Sequence, residues 1–154
     1  QLYPEVNTME PVPVSHLISA LALSLTFGGK TFFSTVVAPL VFTKLPPDTA
    51  GGLIRQMFPW YYLTMGATTL LALVAMIPAQ DESLTWEAVL TLAVLFGFVF
   101  ARQVLMPSIN QARDAELAGR EGAGRRFAHL HRASVLLNGC QWLATLAALV
   151  LILS

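Results

Sequence analysis

Charged residues are scarce in this sequence: 12% of its 154 residues are Asp, Glu, Lys or Arg, whereas 55% are hydrophobic. A soluble domain carries about twice that share of charged residues, because polar groups must cover its surface. The low charge therefore excludes an ordinary water-soluble domain and indicates an integral membrane protein. The formal net charge is zero and no basic patch is interleaved with aromatic residues, so we expect no nucleic-acid partner.

Cysteine is almost absent, and no metal-binding or catalytic pattern is found. Cys140 is the single cysteine, so an intramolecular disulfide is excluded. His129 and His131 point to different sides of a helix, and a haem between His16 and His131 would have to reach across the bilayer. No acid in the sequence is placed to orient a dyad of His131 and Ser134, and a glycine-rich phosphate loop is missing. We therefore expect no cofactor, no metal and no enzymatic activity.

Long apolar runs, in contrast, are plentiful. A helix that crosses a bilayer needs about 20 apolar residues, which cover about 30 Å at about 1.5 Å per residue. None of the runs has the alternating polarity of a membrane β-strand. The sequence predicts an all-α integral membrane four-helix bundle, a single domain over residues 1–154, with spans at 15–42, 60–77, 86–104 and 135–153.

The basic residues lie on one side of this predicted topology. All nine lysines and arginines except Lys30 fall in or near the first loop, or between the third and fourth spans. The amino-terminal tail and the loop between the second and third spans carry acidic residues instead. Because short cytoplasmic loops retain Lys and Arg, we expect both termini on the non-cytoplasmic side of a bacterial inner membrane or an organellar membrane. The first residue is Gln and not Met, so we expect a chain processed at its start, and no secretory leader pattern is visible before the first span.

The helical pattern continues beyond the membrane after the third span. Good helix formers follow Pro107 up to a glycine cluster that indicates a turn, and residues 125–133 lead back into the fourth span. We predict a long cytoplasmic-side hairpin between helices three and four. With its turn near Glu121, the hairpin would bring together three pairs: Asp114 and His131, Asn110 and Ser134, and Arg102 and Gln141.

The first loop predicts a separate short helix. Residues 46–49 stop the first helix and offer an N-cap for the next one. The apolar side chains of this short helix share one side, so we expect it to lie in the headgroup plane through Leu53, Ile54, Met57 and Phe58. Three aromatic residues then mark the membrane interface: Trp60, Tyr61 and Tyr62.

Lys30 lies near the middle of the first span. Roughly 20 Å of helix separates it from either interface, whereas a lysine side chain spans about 6 Å. Facing lipid would cost at least about 3 kcal/mol. We therefore predict that Lys30 faces the bundle interior or a partner protein. No acid lies at its depth, so it would meet either polar groups such as Asn138 or Gln141 or a water-filled cavity. The same side of this helix carries a polar stripe of His16, Ser19, Thr26, Lys30 and Ser34.

A second polar stripe lies on the fourth helix and consists of Phe127, His131, Ser134, Asn138 and Gln141. Polar groups in lipid are costly unless they have partners, so this stripe should face the other helices. It serves either as interhelical hydrogen bonding that holds the bundle together or as the lining of a transport path. Beside Lys30, Gly28 and Gly29 predict the close approach of another helix.

Four segments carry further motifs: 32–46 (FFSTVVAPLVFTKLP), 58–63 (FPWYYL), 106–116 (MPSINQARDAE) and 127–141 (FAHLHRASVLLNGCQ). With these motifs the chain resembles, over nearly its whole length, the transmembrane-protein-205-like family, a bacterial and eukaryotic membrane domain of unknown function. The resemblance implies a small four-helix polytopic protein. It brings no established reaction, although transport-related roles have been proposed within the family. The residues that the resemblance singles out are Asn110, Arg113, Asp114, His131, Ser134 and Asn138.

The candidate intramembrane or interface residues are Lys30, Arg102, Asn110, Arg113, Asp114, His131, Ser134, Asn138 and Gln141. We expect a non-enzymatic structural or accessory subunit, or an assembly factor, of a larger membrane complex. Its partners would be the lipid bilayer and either other membrane subunits or further copies of the chain. The alternative is a small transporter or efflux component that acts as an oligomer. An intramembrane enzyme has the least support.

Cysteine labelling tests the predicted topology. In a Cys140→Ala background, single cysteines at Ser83 and Glu121 are expected to react with a membrane-impermeant reagent from opposite sides of the membrane. Glu121 should be labelled from the cytoplasmic side or its organellar equivalent, because the basic residues lie around it. Reaction of both cysteines from the same side would contradict the four-span topology.

Overall fold

The computed structural model describes residues 13–77 and 85–154, and every regular element among them is helical. Four long helices follow one another: α1 Val14–Lys44, α2 Pro47–Met76, α3 Trp86–Leu117 and α4 Ala123–Leu153. Each is long and apolar enough to cross a membrane. The predicted all-α four-helix architecture is confirmed, and it is what a multi-pass membrane protein requires. The acidic tail and the acidic loop of the topology prediction lie outside the described residues.

The four helices form a closed ring in which α1 contacts α2, α2 contacts α3, α3 contacts α4, and α4 contacts α1. Small buried side chains let these helices approach one another closely, among them Ala22, Ala72, Ala88 and Ala148. A second buried cluster is built around Tyr62, Val94, Phe98 and Ala101. Large apolar side chains such as Leu21, Phe96, Leu136 and Leu143 are exposed on the outside, where lipid would cover them.

Two of the helices contain a π-helical segment shortly before a proline. Phe33–Val37 precedes Pro39 in α1, and Ala101–Leu105 precedes Pro107 in α3. Proline has no N–H and its ring crowds the preceding turn, so a widened turn lets the helix continue past it. A π-turn holds one extra residue, which rotates the helix face that follows. Ser34 lies in the first of these segments and is exposed, although the sequence predicted it in the inward-facing stripe.

The predicted short helix in the headgroup plane is wrong, because α2 runs unbroken from Pro47 to Met76 and passes through Pro59. Phe58, predicted to lie on its apolar side, packs instead on the ring of Phe33 in α1, with ring centroids 5.5 Å apart. Arg55 on the opposite side forms an ion pair with Asp114 of α3. These contacts hold the first turns of α2 along the bundle. Tyr62 is 4% exposed and so packs in the core, whereas Trp60 is 71% exposed.

The hairpin between α3 and α4 is confirmed, with a turn over residues 118–122. Gly119 and Gly122 have φ values of 70° and 75°, in the left-handed region that glycine adopts without strain. The predicted register is wrong deeper in the bundle, because Gln141 lies against Val94 and Gly97 and not beside Arg102. The turn is centred on Arg120, before Glu121, and the π-helical segment of α3 adds one further residue; both move the facing pairs in this direction. We call this end of the bundle the hairpin end.

Candidate functional site

Lys30 lies inside the bundle, with 2% of its surface exposed. Its ammonium nitrogen Nζ donates to Asn138 Oδ1 at 3.2 Å and to Gln141 Oε1 at 3.4 Å. The third side is covered by the ring of Phe98, whose centroid is 4.8 Å from Nζ. In the described part of the chain no carboxylate pairs with this ammonium. The prediction that Lys30 faces the interior and meets the two amides is confirmed, and we call Lys30, Asn138 and Gln141 the Lys30 cluster.

The two amides of the Lys30 cluster are fixed by backbone carbonyl groups. Asn138 Nδ2 donates to the carbonyl oxygen of Ser134 at 2.9 Å, and Gln141 Nε2 donates to that of Val94 at 3.1 Å. Because each NH₂ group is bound in this way, each amide turns its oxygen toward the ammonium. Neutral acceptors and an aromatic face thus replace the water that the cation would have outside the membrane.

Two glycines decide how closely the helices approach around this cluster. A Cβ on Gly97 would lie 2.7 Å from Gln141 Nε2, so the absence of a side chain lets Gln141 reach the backbone of α3. A Cβ on Gly29 would lie 2.8 Å from the terminal carbon of Met65, which confirms the predicted close approach of a helix there. At Gly28 the prediction is wrong, because a Cβ on this residue would meet nothing within 4 Å.

Hydroxyl groups continue the polar interior along α1. Thr26 Oγ1 donates to Ala22 O at 3.1 Å and lies 2.8 Å from Thr68 Oγ1 of α2. Ser19 Oγ lies 3.1 Å from the carbonyl oxygen of Ala72. The predicted stripe is therefore confirmed for Ser19, Thr26 and Lys30, all of which are buried.

Trp142 fastens α4 to α1 beside the Lys30 cluster. Its indole Nε1 donates to Thr31 Oγ1 at 2.8 Å, and its ring lies 4.9 Å from that of Phe27. Thr31 follows Lys30 directly, so this contact fixes the part of α1 that carries the lysine.

A second group of predicted residues lies at the hairpin end. Asp114 Oδ1 is 2.7 Å from Arg55 Nη2, and Arg55 also donates to the carbonyl oxygen of Asn110 at 3.2 Å. The predicted pairing of Asp114 with His131 is wrong, since α2 supplies the partner instead. His131 stacks on Phe127 with ring centroids 5.9 Å apart.

Arg113 links the same region to α4. Its guanidinium is 2.6 Å from Glu116 Oε2 and lies over the Phe127 ring, 5.5 Å from the centroid. Both of the ion pairs found within 13–77 and 85–154 therefore stand at the hairpin end.

Residues 21–117, which are well over half of the chain, match a family described as a domain of unknown function, DUF4149. The chain belongs to the DUF4149 family. No curated protein and no solved structure matches it. The match includes Lys30 and Phe98 but ends before Asn138 and Gln141, and it brings no activity with it.

In this DUF4149 protein the predicted site residues fall into two groups. Lys30, Asn138 and Gln141 meet inside the bundle, where Ser134 contributes its carbonyl group, and Asn110, Arg113, Asp114 and His131 lie at the hairpin end. Arg102 belongs to neither group. It lies in the π-helical segment Ala101–Leu105, and its Nε is buried without a hydrogen-bond partner among the described residues.

The sequence did not identify Phe98, Gly97 or Arg55 as parts of these groups. Phe98 and Gly97 stand in an apolar run, where nothing distinguishes a buried residue from a lipid-facing one. Arg55 was assigned to a separate helix in the headgroup plane, which removed it from reach of α3.

A double-mutant cycle on Arg55→Gln and Asp114→Asn of the DUF4149 protein is expected to give a coupling of about 0.3 to 1 kcal/mol in the free energy of unfolding in detergent. The value is small because the two side chains are 42% and 59% exposed. A cycle on His131→Ala and Asp114→Asn is the control and should give no coupling. A larger coupling energy of Asp114 with His131 than with Arg55 would support the hairpin register predicted from the sequence.

Proposed function

We propose that this DUF4149 protein is a non-enzymatic accessory subunit or assembly factor of a larger membrane complex. The main support is the filled interior at Lys30. Its ammonium is enclosed by two amide oxygens and an aromatic ring of the same chain, and its side chain is 2% exposed. An ammonium enclosed in this way offers no free face to a solute or substrate. A packed bundle of this kind is better suited to a scaffold than to a solute path.

The surface left for a partner protein is the hairpin end. Exposed arginines without a carboxylate partner in the described ranges are grouped there: Arg120, Arg125, Arg126 and Arg132. Positive charge of this density favours contact with an acidic segment of another subunit and speeds its encounter. The bundle would thus contribute its lipid-covered faces to the membrane and its basic end to the complex.

Affinity purification at native expression level in mild detergent tests this proposal. We expect at least one other membrane protein to co-purify in stoichiometric amount. Glutamine at all four exposed arginines should release this partner while helical content stays unchanged. The matched control is Lys30→Met, which alters the interior and leaves the basic end intact, so it should keep the partner. Recovery of the chain only as a homo-oligomer would contradict an accessory role.

A small transporter is the second candidate, and the position of Lys30 favours it. Ionisable residues within a span are rare and often lie on ion or proton paths. The resemblance to the transmembrane-protein-205-like family supports the same candidate, because transport roles have been proposed within that family. Purified protein in vesicles would then carry protons or chloride above the rate of protein-free vesicles, and Lys30→Met would abolish that flux. If vesicles containing the parent protein showed no more proton or chloride flux than protein-free vesicles, this candidate would be contradicted.

A further inference from the structure

The two helical hairpins, α1 with α2 and α3 with α4, repeat one another. Placing residue 33 on residue 101 aligns the π-helical segment Phe33–Val37 with Ala101–Leu105. The same alignment puts proline on proline and glycine on glycine: Pro39 on Pro107, and Gly29 on Gly97. A π-turn is a rare feature in a helix, so two of them at matched positions indicate a common origin.

The second helices of the hairpins repeat as well. Placing the first residue of α2, Pro47, on the first residue of α4, Ala123, aligns Met65 with Gln141 and Thr69 with Thr145. Thr69 and Thr145 are both buried in the bundle. Met65 covers Gly29 in the first hairpin, and Gln141 covers Gly97 in the second.

Contacts between the hairpins follow the same rule. Lys30 aligns with Phe98, and Asn138 aligns with Tyr62. The contact of Lys30 with Asn138 has its counterpart in the contact of Phe98 with Tyr62, whose ring centroids are 6.4 Å apart. Lys30 and Phe98 also touch each other. Contact between two equivalent residues is what a twofold axis produces, and this axis runs parallel to the helices.

We propose that the chain is a fused dimer of one ancestral hairpin, and that the Lys30 cluster makes its two unlike halves pair with each other instead of with like halves of a second copy. The pairing that the cluster disfavours is therefore that of a hairpin with the like hairpin of a second copy, whereas contact between two intact bundles is unaffected. The equivalent positions in the other half hold Phe98, Tyr62 and Met65, so the fold closes there without any charge. Packing alone does not require a lysine at this place.

Pairing of two identical hairpins would be energetically unfavourable for either half of the chain. Two first hairpins would put Lys30 against Lys30, with Tyr62 and Met65 where the amides now stand. Two second hairpins would put Phe98 against Phe98 and leave the oxygens of Asn138 and Gln141 without a donor. Unpaired polar groups are costly inside a bilayer, and a buried polar group can thereby select one partner over another. The inference is independent of whether the protein acts as an accessory subunit or as a transporter.

The first test makes the two halves alike by Lys30→Phe, Asn138→Tyr and Gln141→Met in the full chain. We expect a folded protein whose dimer fraction exceeds that of the parent and rises with protein concentration, because the tether still favours pairing within one chain. Mass measurement in detergent and co-purification of two differently tagged copies would detect the dimers. The matched control places similar changes on the lipid-facing side of α4, Leu136→Phe and Leu143→Tyr, and should behave like the parent. A symmetrised variant no more dimeric than the parent would overturn the proposal.

The second test exchanges the two sets of residues and covers the case in which the first variant does not fold. Phe98→Lys, Tyr62→Asn and Met65→Gln alone create a second cluster beside the first and should lower the unfolding temperature strongly. Adding Lys30→Phe, Asn138→Tyr and Gln141→Met to these changes moves the cluster to the equivalent side. This six-fold exchange should recover a monomer with an unfolding temperature close to that of the parent. If the variant with all six substitutions were no more stable than the variant with three, the two halves of the chain would not be equivalent and the proposal would be overturned.

Discussion

Leucine at both Asn138 and Gln141, with Lys30 retained, is expected to lower the free energy of unfolding by about 3 to 5 kcal/mol. The two changes remove both hydrogen-bond acceptors from an ammonium that is 2% exposed, and they leave only the ring of Phe98 beside it. A buried charge that loses its partners keeps its desolvation cost without compensation. Reversible unfolding in mixed detergent micelles, followed by circular dichroism, measures the loss.

Lys30→Met in the same background is the control for this prediction. It removes the charge, so most of the lost stability should return. Lys30→Met in the parent protein should instead lower the free energy of unfolding by about 1 to 3 kcal/mol, because the oxygens of Asn138 and Gln141 then lose their donor. Only replacement of all three polar side chains by apolar ones is expected to be neutral or stabilising. If the double leucine variant lost less than about 1 kcal/mol, the two amides would not be what stabilises the ammonium.

The position of Lys30 could be predicted from the sequence because the membrane leaves few alternatives. A charge in mid-span cannot face lipid, and Asn138 and Gln141 are among the few polar side chains at its depth. Phe98 could not be predicted in the same way. In a membrane protein both lipid-facing and buried residues are apolar, so hydrophobicity does not separate Phe98, which is 1% exposed, from Phe96, which is 70% exposed.

Two features displaced the register. The turn over residues 118–122 comes earlier than the predicted one, which shifts every facing pair of the hairpin. A helical wheel assumes about 100° per residue, and a π-helical segment breaks that rule by one residue. Ser34 and Arg102 both lie in such segments, and both were misplaced. The sequence shows that Pro39 and Pro107 must disturb their helices, but it does not show at which residues each helix widens to accommodate its proline.

The start of α2 could not be predicted, because it depends on a contact between residues far apart in the chain. Apolar residues at Leu53, Ile54, Met57 and Phe58 fit a helix in the headgroup plane and equally a helix that packs on a bundle. The ion pair of Arg55 with Asp114 distinguishes the two, and it joins segments whose neighbourhood no local pattern reveals. Pro59 also predicts the end of a helix, although α2 continues through it.

Alanine at Gly97 is expected to lower the free energy of unfolding by about 1 to 3 kcal/mol, because the added Cβ would lie 2.7 Å from Gln141 Nε2. Gln141 has little freedom to move away. Its amide is bound to the carbonyl oxygen of Val94 on one side and to Lys30 on the other, so a displacement weakens both bonds. The same micelle titration measures the effect.

The equivalent position in the other hairpin provides the matched control. A Cβ on Gly29 would lie equally close to Met65, but the clash is with the end of a flexible side chain that has three rotatable bonds and no fixed hydrogen bond. Gly29→Ala should therefore stay within about 0.5 kcal/mol of the parent, because Met65 can turn aside and alanine favours the helix. Gly28→Ala, with nothing within 4 Å, should be neutral or slightly stabilising. A loss at Gly97 as small as that at Gly29 would mean that Gln141 moves as freely as Met65, and this result would contradict a fixed amide beside Lys30.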